Sequence, residues 1–306
     1  MSSLELTPAV RALGTAALIL ALAACQSAPP LVAAHRGGTG DGPENTLATL
    51  QASLRNGADL LWLTVQVSRD GEPVLYRPAD LSALTDGRGP VNTVDVAELR
   101  RLNAGYQFAQ SEADGSKRFP YRARPVPIPT LREALRALPP ATPLLVDMKQ
   151  LPAAPLVAAV ARVVDQENAW QRVRFYSTEA DILALMTHYP KAQLFESRDA
   201  TRARLARVAL NGGPCEAPAP GVWAGIELVR RVQLVEKFTL GQGVSEVDAH
   251  WWTPAALACF KSGRDVKVMV FGVDSEEAYR EARRLGVDAV MTDSPAKLRT
   301  WTPAPR

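Results

Sequence analysis

Two residue types suited to phosphate chemistry stand side by side near the start of the chain, at His35 and Arg36. An imidazole transfers protons near neutral pH, and a guanidinium holds phosphate oxygens through paired hydrogen-bond donors. A short way along, Glu44 and Asn45 add a carboxylate and an amide. This cluster predicts one site at which proton transfer and phosphate binding meet.

Further candidate side chains lie on predicted strands or just after them. They are Trp62 and Thr64 on one strand, Arg77 shortly after it, Asp147 and Lys149 at the end of the next, and Asp293 after the last. The strands of a closed parallel barrel end at one rim, where the active sites of such barrels lie. We therefore expect these side chains to face one mouth together with His35 and Arg36.

The elements that must position these residues alternate between strands and helices. Apolar residues recur with a helical period in 45–56, 155–164, 179–187 and 275–285. Short apolar runs typical of strands fill 32–35, 60–67, 144–148, 173–176, 193–195, 222–228, 246–252, 266–271 and 289–291. This alternation favours an α/β fold with a parallel sheet. Two of these runs, 222–228 and 246–252, compete for the sixth of eight strand positions, and the pattern alone also allows an open doubly wound sheet.

One long stretch, about residues 84–129, interrupts the alternation between the second and third predicted barrel strands. It is rich in glycine, proline and charged residues. Connections of this length are usually either functional or disordered. The sequence does not say what this insertion covers.

Several short motifs, in this order and spacing, resemble the glycerophosphodiester phosphodiesterase family. They are Pro43-Glu44-Asn45-Thr46, Gly57-Ala58-Asp59, Asp70-Gly71, Pro129-Thr130-Leu131, Asp147-Met148-Lys149, Gly286-Val287-Asp288 and Thr292-Asp293-Ser294-Pro295. The resemblance implies a TIM (β/α)8 barrel of the phospholipase C-like phosphodiesterase type over residues 31–300. It also implies that the 84–129 insertion lies near the mouth.

The chain departs from the family pattern at the positions that matter most for catalysis. Family enzymes carry a Glu-x-Asp pair after Gly-Ala-Asp and a second histidine later, and the acidic pair helps to bind a divalent cation. Here the corresponding residues are Trp62, Thr64 and Arg77. A calcium or magnesium ion is expected for the family, but only Glu44 and Asp147 remain as its acidic ligands. The cation site is therefore degraded, since calcium takes 6–8 oxygen ligands.

Two hypotheses of function follow. In the first, the chain is a phosphoric diester hydrolase or lyase of lipid metabolism that acts on glycerophosphodiesters or phospholipid head groups without metal. His35 is then the acid/base, and the substrate and its phosphate contact Arg36, Asn45, Trp62, Arg77 and Lys149. In the second, the barrel is a pseudoenzyme that binds a phosphorylated envelope ligand or a protein partner. Trp62 also has the alternative role of inert barrel filler.

The remaining histidines and cysteines leave alternatives open. His188 lies near the end of a predicted helix and is expected to be structural or to face solvent. His250 reaches the mouth only if 246–252 is the sixth strand. Cys215 and Cys259 are compatible with a disulfide or with two free thiols, and their spacing does not suggest zinc.

Residues 1–24 read as a targeting segment, with an apolar run of residues 12–24 that is too short to span a bilayer. Small residues before Cys25 resemble a bacterial lipoprotein processing box, which implies lipidation of Cys25 and a tether over 25–30. Gln26 after the cysteine then implies the outer membrane, facing the periplasm. A net charge of +3, with no basic run, argues against a nucleic-acid partner.

Overall fold

The computed structural model of the chain describes residues 28–211 and 215–302. Thirteen strands lie in these residues. They are β1 Leu31–Ala34, β2 Leu60–Val67, β3 Pro73–Leu75, β4 Gln110–Ser111, β5 Lys117–Arg118, β6 Leu144–Met148, β7 Val173–Tyr176, β8 Gln193–Leu194, β9 Trp223–Glu227, β10 Val229–Phe238, β11 Gly241–His250, β12 Lys267–Phe271 and β13 Ala289–Thr292. The predicted signal peptide and Cys25 lie outside the described residues.

Nine α-helices and four short 3-10 helices accompany these strands in the described ranges, and the α-helices are numbered here. They are α1 Leu47–Arg55, α2 Val96–Leu99, α3 Leu131–Ala137, α4 Ala153–Gln166, α5 Ala180–Met186, α6 Arg198–Asn211, α7 Pro254–Lys261, α8 Glu276–Leu285 and α9 Pro295–Leu298. Side chains cap several helix starts, as where Thr130 and Glu133 form a reciprocal capping box at α3. No helix in 28–211 or 215–302 is long and apolar enough to cross a membrane.

Eight strands form a nearly closed parallel barrel. Their order is β8-β7-β6-β2-β1-β13-β12-β9, and a bridge between Phe195 and Trp223 joins the two ends. The short strand β3 runs antiparallel beside β2 and lies outside this ring. The predicted TIM barrel is confirmed, and the open doubly wound sheet is excluded.

Apolar side chains fill two kinds of space around the barrel strands. Outside the ring, alternate strand residues pack against the apolar faces of the helices, as Leu63 and Val146 do beneath α4. Inside the ring, the intervening residues form a separate cluster that includes Trp62, Tyr176 and Phe271. Every residue of β2 is buried, including the polar residues Thr64 and Gln66, so the strand is covered on both faces.

The structure decides between the two candidates for the sixth barrel strand. β9, within 222–228, pairs in parallel with β12 over its whole length. The competing segment 246–252 mostly belongs to β11, which pairs antiparallel with β10 in a two-stranded ribbon. The sequence analysis did not foresee this long hairpin.

The two remaining cysteines form a disulfide. Cys215 lies shortly before β9, and Cys259 lies on α7, 44 residues later in the chain. The bond therefore ties the connection before the sixth barrel strand to the helix that follows the hairpin. The alternative of two free thiols is excluded in this structure.

Candidate functional site

His35 lies directly after β1, in a turn that needs left-handed backbone conformations. The residues Arg36, Gly37 and Gly38 have φ angles of +49°, +82° and +94°. The His35 Nδ1 atom lies 2.6 Å from the Asp293 carboxylate, which follows β13 on the adjacent strand of the barrel. The hydrogen bond and the charge of His35 lower the pKa of Asp293 against the opposing effect of burial. Asp293 thus fixes the imidazole through Nδ1 and leaves Nε2 for a substrate.

Arg36 and Glu44 form the second pair at the mouth, with 2.8 Å between the guanidinium Nη1 and the carboxylate Oε2. Both side chains are largely buried. Asn45 follows with a φ of +59°, and its carbonyl oxygen accepts a hydrogen bond from the Thr64 amide. The buried Asn45 side chain therefore links the segment just before α1 to β2 by a hydrogen bond.

Asp147 and Lys149 come from the end of β6 and the residue beyond it. The Lys149 ammonium lies 3.2 Å from Asp147 and donates a hydrogen bond to the Thr178 hydroxyl. Burial raises the pKa of Asp147, and the charges of Lys149 and Arg36 act in the opposite direction. Arg36 also helps to lower the pKa of Asp293, so its guanidinium influences carboxylates on both sides of the mouth.

A fourth pair, Arg198 with Glu227, was missed by the sequence analysis. Arg198 begins α6 and Glu227 ends β9, and their side chains join through both carboxylate oxygens, with 2.8 Å to Oε1. The guanidinium also contacts the Tyr176 hydroxyl at the end of β7. Arg198 follows the carboxyl end of β8, and Glu227 lies at the carboxyl end of β9. Their positions at the ends of predicted strands were the sequence signal that could have identified them.

Trp62 lies inside the barrel below these charged groups. Its side chain is 3% exposed, and its ring centroid lies 4.9 Å from that of Tyr176 and 5.4 Å from that of Phe271. The indole also faces Asp147 and helps to hold the pKa of that carboxyl group down. Its position leaves almost no surface on which a ligand could stack.

Arg77 follows β3, the short strand that pairs with the carboxyl end of β2. The amide of the preceding residue, Tyr76, donates to the Thr64 carbonyl, so the chain returns here to the level of Thr64. The Arg77 side chain is exposed and makes no ion pair or hydrogen bond with the residues that the structure describes. It differs in this from Arg36, Lys149 and Arg198, which are paired.

A divalent cation does not fit this set of residues. The carboxylates at the mouth are already paired with bases, as Glu44 with Arg36, Asp147 with Lys149, Glu227 with Arg198, and Asp293 with His35. Within 28–211 and 215–302, no three His, Cys, Asp or Glu side chains converge as a metal-binding group. Trp62 and Thr64, where the family has its acidic pair, supply no carboxylate.

Three buried polar atoms at the mouth have no hydrogen-bond partner among the described residues. They are Arg36 Nε, Thr64 Oγ1 and Asp147 Oδ1. The ammonium of Lys149 lies near Asp147 Oδ1, but as a charge contact without hydrogen-bond geometry. Buried polar groups in folded proteins are normally paired, so these atoms are available to a polar ligand or to water.

The insertion over 84–129 lies beside the mouth. A cavity of about 240 Å³ separates it from the loop 39–44, with Glu44 on one side and Leu84, Ala104 and Phe108 on the other. The adjoining space continues towards β4 and reaches Arg118. A partly apolar recess therefore lies next to the Arg36–Glu44 pair, and the insertion forms one wall of it.

In the described residues, neither of the other two histidines makes a hydrogen bond or ion pair with the charged side chains of the mouth. His188 is exposed after α5. His250 is exposed at the base of the hairpin, where it pairs with Val229. The condition under which His250 would reach the mouth, a sixth barrel strand at 246–252, does not hold.

Comparison with known proteins agrees with this architecture. Residues 35–297 match the glycerophosphoryl diester phosphodiesterase family. The chain is 48% identical over 288 residues to an uncharacterized protein of Mycobacterium tuberculosis, Rv2277c, covering 94% of this chain and 95% of that protein. The crystal structure of that protein's glycerophosphoryl diester phosphodiesterase domain superposes with a TM-score of 0.83 at 47% identity, covering 90% of this chain and 99% of that one.

More distant relatives extend the likeness. A glycerophosphodiester phosphodiesterase of Caldanaerobacter subterraneus is 26% identical over 274 residues, which cover 88% of this chain and 96% of the relative. An Oleispira antarctica phosphodiesterase, solved with its product sn-glycerol-3-phosphate, has the same fold, with a TM-score of 0.62, 22% identity and coverage of 89% and 96%. This chain therefore belongs to the glycerophosphoryl diester phosphodiesterase family.

Proposed function

We propose that the mouth of the barrel binds and cleaves a phosphoric diester without a divalent cation. The substrate class is glycerophosphodiesters or the head groups derived from phospholipids. The observation that carries the proposal is that the carboxylates at the mouth are already paired with basic side chains, while Trp62 and Thr64 stand in place of the family's acidic pair. Arg36, Lys149 and Arg198 supply positive charge at the mouth. Guanidinium and ammonium groups stabilise phosphate oxygens, and a metal bound there would be repelled by them.

The residues divide the chemistry between them. His35, held at Nδ1 by Asp293, takes a proton at Nε2 from the water that attacks phosphorus. The bond from phosphorus to the leaving alcohol breaks, and the imidazolium returns the proton to that alkoxide. Arg36 and Lys149 balance the charge on the phosphoryl oxygens, and Arg77 adds an unpaired guanidinium at the rim. The recess beside Glu44 receives the alcohol.

A second function, binding without turnover, is favoured by the residues around the imidazole. The family's second histidine is replaced by Arg77, so a single imidazole would have to act as base and then as acid. Trp62 and Thr64 offer no proton-transfer group near neutral pH. In this alternative the cationic mouth holds a phosphorylated envelope ligand through the same arginines.

We place either function in a bacterial envelope. The lipoprotein-like sequence around Cys25 supports a lipid anchor, with the barrel joined to it through the tether 25–30. Several acyl chains give stable anchoring, whereas one chain gives marginal binding. Labelling of Cys25 by a radioactive fatty acid, lost in Cys25→Ser, tests the anchor. A chain that stays unlabelled and soluble in the periplasm contradicts it.

The test of the proposed function is cleavage of phosphodiesters by the chain from Gln26 onward, which contains every strand of the barrel. Glycerophosphocholine, glycerophosphoethanolamine, glycerophosphoglycerol and phosphatidylinositol are offered with calcium, with magnesium and with EDTA. Turnover that survives EDTA and is lost in His35→Ala supports the proposal. Turnover that requires a metal contradicts it. If there is no turnover but the product still binds, the binding function takes its place.

A further inference from the structure

The hairpin β10–β11 concentrates the exposed apolar surface of the molecule. Of the nine large apolar side chains exposed in the described residues, seven lie in this hairpin. They are Val229, Leu234, Val235, Phe238, Leu240, Val244 and Val247. Monomeric soluble proteins rarely expose such a contiguous set unless it is an interaction site.

One face of the hairpin is more apolar than the other. Paired residues of an antiparallel ribbon share a face, so the register places Val232 opposite Val247 on the same face as Leu234 and Phe238. The other face carries Arg231, which is 3.2 Å from Asp248 across the ribbon. The charged face also carries three apolar residues, Val229 at the base and Val235 and Val244 near the turn. Two charged residues, Arg230 and Glu236, lie on the apolar face.

Nothing in the described part of the chain covers the apolar face. The ribbon is a separate two-stranded sheet, and none of its residues belongs to a hydrophobic core cluster. An isolated two-stranded ribbon is only marginally stable in water, and here it is ten residue pairs long. Both of its edges have unpaired backbone groups, and residues 229–250 contain no proline to block further pairing.

We infer that the hairpin β10–β11 is a docking element that joins two copies of this chain through its apolar face. The interface would be isologous, with the same ribbon of each copy on the other. Because β10 begins just after the carboxyl end of β9, the two mouths would lie beside the shared interface. The inference is independent of whether the mouth cleaves or only binds its ligand.

The charge of the hairpin fits a second copy better than a lipid surface. Its three basic residues, Arg230, Arg231 and Lys237, are balanced by the three acidic residues Glu236, Glu246 and Asp248. A ribbon without net charge has no electrostatic attraction to anionic lipid. A ribbon with a net charge would repel an identical copy of itself. This ribbon has no net charge, so two copies can approach each other. Moreover, the amino terminus enters β1 at the opposite rim of the barrel, so a lipid anchor there would lie away from the hairpin.

The exposed apolar area fits a small dimer interface. Leu234, Phe238 and Val247 on the apolar face, with Leu240 in the turn, expose on the order of 260 Å², taking roughly 100 Å² for a whole aliphatic side chain. A standard interface covers about 800 Å² of each partner, a little over half of it apolar, and weaker interfaces cover less. Phe238 is 63% exposed and Leu240 is 100% exposed, so both are available as anchors of such an interface.

The test is sedimentation velocity of the chain from Gln26 onward, from about 1 to 100 µM, the range in which micromolar dimers dissociate. The wild type is expected to form a dimer. Leu234→Glu with Phe238→Glu places charges on the apolar face and is expected to raise the dimer Kd at least about 100-fold. The matched control, Gln233→Glu with Gln242→Glu, adds the same charge to the other face and should remain dimeric.

Three results would overturn the inference. The first is a wild type that stays monomeric over the whole range, a result that does not depend on whether any variant folds. The second is equal weakening by the apolar-face variant and its control. The third is a monomer that floats with phosphatidylglycerol vesicles and loses this in the apolar-face variant, which would assign the hairpin to a lipid surface. Unchanged thermal unfolding of both variants confirms that the barrel is intact.

Discussion

Replacing Trp62 by alanine should destabilise the barrel strongly, because this indole fills the space inside the ring of strands. It is 3% exposed and touches the rings of Tyr176, Phe195 and Phe271. Truncation of a buried Phe or Trp costs about 3–5 kcal/mol, and three aromatic neighbours place Trp62→Ala near the middle of that range or above it. We expect a loss of about 4 kcal/mol in the free energy of unfolding, or roughly 10 °C in Tm.

Urea denaturation followed by circular dichroism measures this loss, with Trp301→Ala as the control. Trp301 is only partly buried and packs on the outside of the barrel, so its truncation should cost about half as much or less. A cost below about 1 kcal/mol for Trp62→Ala, together with a loss of ligand binding, would refute the assignment of Trp62 to the barrel interior.

Trp62→Glu extends the same reasoning to the lost metal site. It restores the family residue but leaves a carboxylate among aromatic rings, and burying an unpaired charge costs several kcal/mol more than the cavity alone. We expect Trp62→Glu to be less stable than Trp62→Ala. If Trp62→Glu is as stable as Trp62→Ala or more stable, the barrel interior at this position tolerates an ionised carboxylate. The metal site would then be easier to restore than the structure indicates.

Four further predictions concern the mouth and the disulfide. Arg36→Met should weaken the binding of sn-glycerol 3-phosphate at least about 30-fold in calorimetry, because a charge-assisted contact is lost and Glu44 is left unpaired; unchanged affinity would exclude Arg36 from the phosphate site. Asp293→Asn should lower kcat at least about tenfold with little change in KM, since His35 loses the partner that fixes its ring; an unchanged kcat would contradict this positioning role. Because the pKa of Asp293 is lowered in the folded protein, this carboxylate adds stability that is fully present above about pH 4 and is lost as the pH falls through the folded-state pKa. Below about pH 4 the wild type should therefore lose stability more steeply than Asp293→Asn. Parallel curves of unfolding free energy against pH would contradict the shift. Cys215→Ser with Cys259→Ser should lower the free energy of unfolding by about 2–4 kcal/mol, since the bond closes a long loop, and an unchanged midpoint in urea would show that the bond contributes nothing.

The strands of the barrel could be predicted from the sequence because each is a short buried run of apolar residues between helical patterns. Strands such as β2, β6 and β7 begin and end where the pattern placed them. The hairpin could not be predicted in this way. Its apolar residues face solvent, so the usual inference from an apolar run to the core led instead to a competing barrel strand at 246–252.

The candidate site was predictable to the extent that its residues lie next to each other in the chain. His35, Arg36 and Glu44 belong to one turn and the start of one helix connection. Pairs of residues that are distant in the chain were harder to predict. Asp293 contacts His35, and Glu227 contacts Arg198, only because the barrel closes. Nor could the sequence decide whether Trp62 is exposed to a ligand, because β2 is buried on both faces and its polar residues Thr64 and Gln66 are buried as well.

The central claim is that the mouth holds phosphate through its own cationic side chains and not through a metal. The measurement that tests it most directly is calorimetric titration of the chain from Gln26 onward with sn-glycerol 3-phosphate, in EDTA and in calcium. The account predicts binding in EDTA, with an affinity within about threefold of that in calcium. Binding that appears only with calcium, and that persists in Arg36→Met, would contradict it.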